Sequence, residues 1–315
     1  MAAATAAGRE RVMKAVGEDM MRTVTRTPFR LTPPGADLRG DYRAPVSVVS
    51  GTAAEEAGVA TDAAIVVCHG FKGFKDWGFF PHLCARLAER TGIPVVSFNF
   101  DGSGVRDSDF DDLEAFSHNT FSRELWDLEA ILDGLAAGRL GDVKVPRATR
   151  FGLLGHSRGG ATCILKAGLR SQVRGLVTWA SISSVTRYES FADRWDAGET
   201  VIIPNARTKQ DMPLERNVLD DMRANRERLD VLASAASLRI PVTVVHGTAD
   251  ESVPFSDAWR IADAVGDLAR LVGVEGGTHT FQAGHPFAET TTQLDEAIDA
   301  SVELFTRVLI TRAPE

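Results

Sequence analysis

The 315-residue sequence predicts an α/β fold in which a mostly parallel sheet is flanked by helices. Short apolar runs of strand length alternate with longer stretches in which apolar residues recur at helical spacing. Hydrophobic residues make up 44% of the chain, which is enough for the core of one large domain. One strand, turn and helix pattern, at residues 150–167, carries Gly-His-Ser-Arg-Gly in its turn. The first two observations predict the fold class, and the third indicates where its chemistry lies.

The predicted elements follow one another regularly along the chain. Residues 29–32 and 37–43, separated by a Pro-Pro-Gly break, predict an antiparallel hairpin at the start of the sheet. Six more strands are predicted at 63–68, 94–98, 150–154, 175–179, 241–246 and 269–274, and helices at 80–90, 120–135, 159–169, 256–265 and 291–309. The sheet is therefore expected to have eight strands.

One segment interrupts this alternation. About sixty residues separate the strands predicted at 175–179 and 241–246, far more than a usual crossover. We expect residues 184–237 to form a cap, inserted after the sixth strand, over the carboxyl ends of the strands, where open α/β sheets bind ligands. An extra helical layer without contact to ligand is the alternative. The predicted organisation is then an N-terminal helical extension at 1–26, a core at 27–183 and 238–315, and the cap.

Composition narrows the class of partner and the cellular compartment. The net charge is -8 and there is no long basic cluster, which argues against nucleic acid as a partner. Cys68, Cys84 and Cys163 are widely spaced in apolar surroundings and indicate buried thiols in a reducing compartment. No signal peptide or membrane span is expected, so the prediction is a cytoplasmic protein. A homodimer is compatible with the sequence, which does not decide the oligomeric state.

The turn sequence Gly155-His156-Ser157-Arg158-Gly159 follows an apolar run and leads into an amphipathic stretch. In that context G-x-S-x-G is typical of a sharp turn that lifts a serine hydroxyl above the edge of a sheet. Glycines flank the position where a side chain would clash in so tight a turn. A serine that merely caps a helix is the alternative interpretation.

A serine hydroxyl needs a base, and the base needs an orienting carboxylate. Asp250 follows the strand predicted at 241–246 and is the expected carboxylate, with Glu251 or a purely capping role for Asp250 as alternatives. His279 follows the last predicted strand and two glycines and is the expected base, with His285 as its competitor.

Acyl transfer also requires hydrogen-bond donors for the oxyanion. The backbone N–H groups of Phe71, after the strand at 63–68, and of Arg158, after the nucleophile, are the expected pair. The alternative is a plain turn at His69-Gly70 with Lys72 and Lys75 on a solvated face. Histidines at three strand ends, His69, His156 and His246, lack the pattern of a metal site and are expected to pack behind the catalytic groups.

These motifs resemble the α/β-hydrolase superfamily over nearly the whole chain, in particular the bacterial branch of cinnamoyl and feruloyl esterases, dienelactone hydrolase-like proteins and prolyl-oligopeptidase catalytic domains. The resemblance is carried by His69-Gly70-Phe71-Lys72-Gly73, by Phe98-Asn99-Phe100-Asp101-Gly102-Ser103-Gly104, by Gly155-His156-Ser157-Arg158-Gly159-Gly160, and by Asp250 and His279. It implies an α/β-hydrolase fold and hydrolysis of carboxylic esters through an acyl-enzyme, with no metal or organic cofactor. Dienelactone hydrolases have a cysteine where this chain has Ser157, and the sequence is not expected to include a β-propeller before the domain, as prolyl oligopeptidases do. Both departures favour a serine esterase.

The resulting hypothesis is a carboxylesterase acting on small or aryl esters of hydroxycinnamoyl type, with Ser157 as nucleophile, His279 as base and Asp250 as orienting acid. Tyr188, Phe191 and Trp195 of the cap are candidates for holding an aryl group of the small-molecule ester. A serine peptidase or amidase of prolyl-oligopeptidase type is the alternative enzyme, and a binding module without activity is the alternative outside enzymes.

Overall fold

The computed structural model of the protein describes residues 22–47, 62–107, 109–205 and 208–310. Its centre is an eight-stranded sheet with the order β1-β2-β4-β3-β7-β8-β11-β12. These strands are β1 (Arg22–Leu31), β2 (Leu38–Ser47), β3 (Ala63–Cys68), β4 (Val95–Asn99), β7 (Arg150–His156), β8 (Val173–Trp179), β11 (Val242–Gly247) and β12 (Ala269–Val274). The hairpin β1–β2 joins antiparallel to β4, and all neighbours from β4 to β12 are parallel. The predicted fold class is confirmed.

Two helical layers cover the sheet. Helices α1 (Phe80–Thr91) and α9 (Thr292–Leu309) pack together on one face. The other face carries α3 (Phe121–Ala137), α4 (Arg158–Ala167), α7 (Val231–Ser237) and α8 (Phe255–Val265). Every residue of β3 is buried because the strand is central and covered on both sides. Ala63, Ile65 and Val67 join the core under α1 and α9, and the alternate residues join the opposite core.

Helix starts agree with the polar residues that precede them. Thr120 accepts a hydrogen bond from the amide of Arg123 and begins α3, and Thr291 accepts one from the amide of Leu294 and begins α9. Such caps satisfy amides that have no partner inside the helix. The two long helices are therefore anchored at the positions that the sequence predicts.

The prediction of a helical extension at 1–26 is wrong for its last residues. Residues 22–26 belong to β1, and residues 1–21 lie outside the described part of the chain. The β-branched residues Thr23, Val24 and Thr25 favour extended backbone, and each pairs with a residue of β2. The predicted entry hairpin is present and longer than expected, since β2 continues beyond its pairing with β4 and pairs with β1 as far as Ser47.

The inserted segment after β8 contains a 3-10 helix at Thr186–Phe191, the short helices α5 (Ala192–Asp196) and α6 (Asn217–Ala224), and a two-stranded hairpin of β9 (Val201–Asn205) and β10 (Gln210–Leu214). Its hairpin and 3-10 helix contribute side chains to the cavity that contains Ser157. The last helix of the predicted cap, α7, instead packs against α4 and α8. The predicted boundary at residue 237 therefore lies inside the helical layer of the core.

Five smaller elements complete the described chain. They are the strands β5 (Arg139–Leu140) and β6 (Val143–Lys144), which form a second two-stranded hairpin, the short helix α2 (Leu113–Ser117), and the 3-10 helices at Asp101–Ser103 and Gly266–Leu268. Within the ranges that the structure describes, none of the helices combines the length and apolar character needed to cross a bilayer.

Candidate active site

Ser157 stands at the junction of β7 and α4 with φ 55° and ψ -121°. A positive φ is costly for a residue with a side chain, and such strain concentrates at functional positions. The turn is held by hydrogen bonds from the Ser157 amide to the carbonyl of Trp179 (2.8 Å) and from the Gly160 amide to the carbonyl of Ser157 (3.0 Å). The predicted sharp turn is thus formed, and the serine side chain lies directly before the amino end of a helix.

Two glycines allow the chain to fold back at this turn. A Cβ on Gly155 would lie 2.2 Å from the carbonyl oxygen of Gly159, and a Cβ on Gly159 would lie 2.3 Å from the carbonyl oxygen of His69. Both distances are far shorter than van der Waals contact, so glycine is required by close backbone approach. The loop after β3 and the first turn of α4 therefore meet backbone to backbone.

Asp250 and His279 come together at the same edge of the sheet. They follow the parallel strands β11 and β12, and Nδ1 of His279 lies 2.8 Å from Oδ2 of Asp250. The other carboxylate oxygen accepts hydrogen bonds from the amides of Ser252 (2.8 Å) and Val253 (2.9 Å). Burial alone would raise the pKa of Asp250, but hydrogen bonds from His246, His279 and the backbone outweigh it and hold that pKa well below its usual range. The carboxylate is thus ionised and fixed in place.

Ser157 and His279 line one cavity, although no hydrogen bond joins them among the described residues. Since Nδ1 of His279 is engaged by Asp250, Nε2 is the ring nitrogen left to exchange a proton with a hydroxyl. Hydrogen bonds between a nucleophile and its base are often long in structures without substrate. The shared cavity therefore brings together the hydroxyl and the imidazole that nucleophilic chemistry at a serine requires.

His285, the competing base, lies elsewhere. Its Nδ1 accepts a hydrogen bond from the amide of Gly78 (2.7 Å), and its ring stacks on Trp77 at 5.7 Å between centroids. It faces a different and larger cavity, of about 1030 Å³, which is lined mainly by arginine and aspartate side chains and does not include Ser157. The structure therefore joins His279, and not His285, to Asp250.

The three remaining strand-end histidines support the loops around Ser157. His156 donates from Nε2 to the carbonyl of His279 (2.9 Å). His69 accepts at Nε2 from the amide of Phe100 (3.2 Å). His246 has Nε2 at 2.9 Å from the carbonyl of Val253 and at 3.2 Å from Oδ2 of Asp250. All three histidines are buried and hold backbone groups or the Asp250 carboxylate in position. Among the described residues, no cluster of histidine, cysteine and acidic side chains could hold a metal ion.

The two candidate oxyanion donors lie on the backbone segments that meet beside Ser157. Gly70 approaches so closely that a Cβ on it would be 2.8 Å from Cβ of Ser157, and Phe71 is the next residue. Arg158 is the first residue of α4, where amides lack partners inside the helix. In the described ranges, neither the Phe71 nor the Arg158 amide donates to a protein acceptor. Both N–H groups therefore remain available for a developing negative charge at this helix terminus.

The cavity above Ser157 has a volume of about 700 Å³, within the range of small-molecule sites. It combines aromatic and aliphatic side chains with a few polar groups. Its lining consists of Phe71, Lys72, Ser157, Arg187, Tyr188, Ser190, Phe191, Ile202, Ile203, Pro204, Ser252, Val253 and His279. A ligand bound there would contact both the inserted segment and the edge of the sheet.

Two of the three predicted aromatic contacts line this cavity. Tyr188 and Phe191 do, whereas the prediction for Trp195 is wrong. Trp195 is buried inside the inserted segment, where its Nε1 donates to the carbonyl of Leu214 (3.0 Å) and its ring packs against Phe191. A buried indole N–H needs an acceptor, and this carbonyl, 19 residues along the chain, turns the side chain away from the cavity.

Comparison with known proteins shows the family. A family model described as "Alpha/beta hydrolase family" matches residues 65–292, well over half of the chain. The chain belongs to the alpha/beta hydrolase family. This result agrees with the eight-stranded sheet and with the turn at Ser157, and it confirms the resemblance stated from the motifs. No curated protein matches the sequence of this hydrolase-family chain.

Several solved structures share the alpha/beta hydrolase fold of this chain. Est1E from Butyrivibrio proteoclasticus has 16% identity and a TM-score of 0.64, over 89% of this chain and 98% of its own. A putative hydrolase from Agrobacterium vitis S4 has 18% identity and a TM-score of 0.64, over 90% of this chain and 99% of its own. A puromycin-hydrolyzing peptidase of Mycobacterium tuberculosis has 19% identity and a TM-score of 0.62, over 90% of this chain but 39% of its own. At these identities the likeness establishes the fold.

Behind the turn at Ser157, this protein contains a buried ion pair that the sequence does not predict. Nε of Arg158 lies 2.8 Å from Oε1 of Glu124, and both residues are less than 5% exposed. Glu124 also accepts hydrogen bonds from Asn119 and Thr162, and the Arg158 guanidinium stacks 4.0 Å from the ring centroid of Phe121. The pair connects α3 to the first residue of α4 and so supports the segment that carries the Arg158 amide.

Replacing Glu124 with alanine is expected to lower the free energy of unfolding by about 3–5 kcal/mol, because it leaves a buried guanidinium without its counter-charge. Glu129→Ala on the same helix is the matched control, since its ion pairs with Lys166 and Arg170 are partly exposed and worth at most about 1 kcal/mol. Urea unfolding of both variants measures the difference. Equal losses of unfolding free energy in the two variants would show that the buried pair contributes no more to stability than the partly exposed pairs.

Stability of this hydrolase-family fold is expected to fall in mild acid. Burial lowers the pKa of His69 to about 4, and burial together with repulsion from His279 lowers the pKa of His156 to about 3, both from 6.5. At a pH between 6.5 and its folded pKa, each histidine binds more protons in the unfolded chain than in the folded one. Each therefore lowers the free energy of unfolding by about 1.4 kcal/mol for every pH unit below 6.5 within that window. Urea unfolding of the wild type and of His156→Gln at several pH values tests this. The variant should show the shallower slope, and parallel slopes would contradict the assignment.

Proposed function

We propose that this protein is a serine carboxylesterase that hydrolyses small or aryl esters. One observation carries the proposal: Ser157, on a strained turn, shares a cavity with a histidine whose Nδ1 is hydrogen-bonded to a buried carboxylate. That combination is what turns a serine hydroxyl into a nucleophile.

In the proposed reaction, Oγ of Ser157 attacks the ester carbonyl carbon while Nε2 of His279 removes the hydroxyl proton. The negative charge that develops on the carbonyl oxygen is stabilised by the amides of Phe71 and Arg158. When the bond to the alcohol oxygen breaks, His279 returns the proton to that oxygen and the alcohol leaves. Water then attacks the acyl-serine by the same route, releasing the acid and restoring the hydroxyl.

Asp250 is assigned the role of orienting His279 and stabilising the imidazolium that forms. Its carboxylate is held by the amides of Ser252 and Val253, and its low pKa means that it stays ionised while the histidine is charged. His156 and His246 are positioning residues, since they hold the His279 carbonyl and the Asp250 loop.

An aryl group on the substrate is supported by Phe71, Tyr188 and Phe191, whose rings line the cavity. A fold neighbour, Est1E, has also been seen with ferulic acid bound, and the present chain shares its fold at 16% identity. An aromatic acid or alcohol of that size fits a cavity of about 700 Å³.

Peptidase activity is the second candidate, because the puromycin-hydrolyzing peptidase has nearly the same fold similarity as Est1E. The lining argues against an aminopeptidase: no aspartate or glutamate among the described residues faces this cavity to pair with a substrate ammonium group. An ester substrate requires no such group.

The test compares p-nitrophenyl butyrate with butyryl p-nitroanilide, which share an acyl group and differ in the bond cleaved. We expect kcat/KM for the ester to exceed that for the anilide by about a hundredfold or more, and a fluorophosphonate to abolish turnover of both. A higher kcat/KM for the anilide, or for aminoacyl anilides, would favour a peptidase. Absence of turnover and of fluorophosphonate labelling would favour a binding module.

A further inference from the structure

The cavity above Ser157 is positively charged although the whole chain carries a net charge of -8. Lys72, from the loop after β3, and Arg187, from the 3-10 helix of the inserted segment, both line it. Among the described lining residues none is an aspartate or glutamate. Two cations from different elements therefore line the space that would hold the substrate.

Neither cation is neutralised by a carboxylate in the part of the chain that the structure describes. Nζ of Lys72 donates to the carbonyl of Pro204 at 3.4 Å, and the Arg187 guanidinium forms no ion pair with any described residue. Three other arginines of the same inserted segment are paired: Arg194 with Glu199, Arg216 with Asp196 and Asp220, and Arg223 with Glu189. Arg187 differs from these three because it lines the cavity and has no carboxylate partner among the described residues.

The two cations also act on each other. Burial, followed by repulsion from the Arg187 charge, lowers the pKa of Lys72 from its ordinary value. Repulsion between like charges in a partly desolvated space is relieved when an anion binds between or beside them. Lys72 itself lies at φ 57°, in a backbone conformation that is costly for a residue with a side chain and that concentrates at functional sites.

We infer that the substrate of this site is an anionic ester, carrying a carboxylate at a distance from the bond that is cleaved. This inference rests on the proposed esterase function. Lys72 and Arg187 would hold the remote carboxylate, while the rings of Phe71, Tyr188 and Phe191 contact the body of the molecule. Because both cations line the same cavity as Ser157, the anion and the scissile ester belong to one ligand and not to separate sites.

The experiment uses two pairs of substrates that differ in charge and hardly in shape. In the first pair, 4-acetoxybenzoate and 4-acetoxybenzamide, the charge lies on the leaving alcohol. In the second, 4-(phenoxycarbonyl)benzoate and its 4-carboxamide analogue, it lies on the acyl group. In at least one pair we expect the wild-type kcat/KM for the anionic ester to exceed that for the neutral ester by about tenfold, mainly through KM.

Variants assign that preference to the named side chains. Arg187→Gln and Lys72→Gln should each reduce the anionic-to-neutral ratio at least about threefold, and Arg187→Glu should bring it below one. Arg216→Gln is the matched control, because it removes the same charge from the same segment outside the cavity, and it should leave the ratio unchanged. A fall with Arg216→Gln equal to that with Arg187→Gln would overturn the assignment.

This experiment gives different results if the anionic substrate is wrong and if the proposed esterase function is wrong. Turnover of both members of each pair with a wild-type ratio of one or less, or a ratio insensitive to Arg187→Glu, would overturn the anionic substrate while leaving the esterase intact. Turnover of neither member above the level of Ser157→Ala would overturn the esterase, and with it the inference.

Discussion

Ser157→Ala is expected to lower kcat/KM for any ester that the protein hydrolyses by on the order of 10⁴- to 10⁶-fold. The substitution removes one oxygen atom, and the backbone at φ 55° is as strained for alanine as for serine. Stability should therefore change little, and the loss would report chemistry and not folding. Rates of p-nitrophenyl ester hydrolysis by both proteins, with matched thermal unfolding curves, measure it. Equal rates would remove Ser157 from the mechanism.

His279→Ala is expected to cause a loss of similar size, on the order of 10⁴-fold or more, because His279 is the one histidine among the described residues that both lines the cavity with Ser157 and is hydrogen-bonded to Asp250. His285→Gln is the matched control. Its ring serves the amide of Gly78 and stacks on Trp77 beside a different cavity, and glutamine retains an acceptor for that amide. We expect the control to keep kcat/KM within about threefold of the wild type.

The two histidine variants together decide between the alternatives left by the sequence. A large loss with His285→Gln and a small one with His279→Ala would assign the base to His285. The loss in His279→Ala should also not add to that of Ser157→Ala, because residues that act as a unit are not independent.

The parts of the fold that could be predicted were those with a continuous local signal. The strands β3 and β12 begin and end at the predicted residues. β3 is an unbroken apolar run, and β12 is an apolar run interrupted by Arg270 and followed by Glu275 and two glycines. Helix α9, predicted over 291–309, begins at Thr292 with Thr291 as its cap. Asp250 and His279 could be singled out because parallel strands bring the residues after them to one edge of the sheet.

The inserted segment was predicted less well because its structure depends on contacts distant in sequence. Residues 219–232 have a charged, helix-like sequence pattern, but they span the end of α6 and the start of α7, since Asp230 caps α7 by accepting a hydrogen bond from the amide of Ala233. The hairpin of β9 and β10 was missed, although the run Val201, Ile202 and Ile203 has strand character. Ile202 and Ile203 line the cavity, and a search for short β-branched runs in the insertion could have found them.

Charge placement around the cavity was not accessible from the sequence. The sequence around Lys72 is compatible with a solvated face, and nothing in that neighbourhood indicates a position near Arg187, 115 residues later. The buried pair of Arg158 and Glu124 is similar, since it joins two helices whose mutual position is a tertiary property. Local patterns specify elements, whereas the partners of isolated charges depend on how those elements pack.

The central claim is that Ser157 is a nucleophile activated by His279, whose ring is oriented by Asp250. The most direct measurement is the site and stoichiometry of covalent labelling by a fluorophosphonate, mapped by mass spectrometry of proteolytic peptides from the wild type and His279→Ala. The account predicts one adduct per chain on the peptide that contains Ser157, formed far more slowly in His279→Ala. An adduct at another residue, or labelling of Ser157 at an unchanged rate without His279, would contradict it.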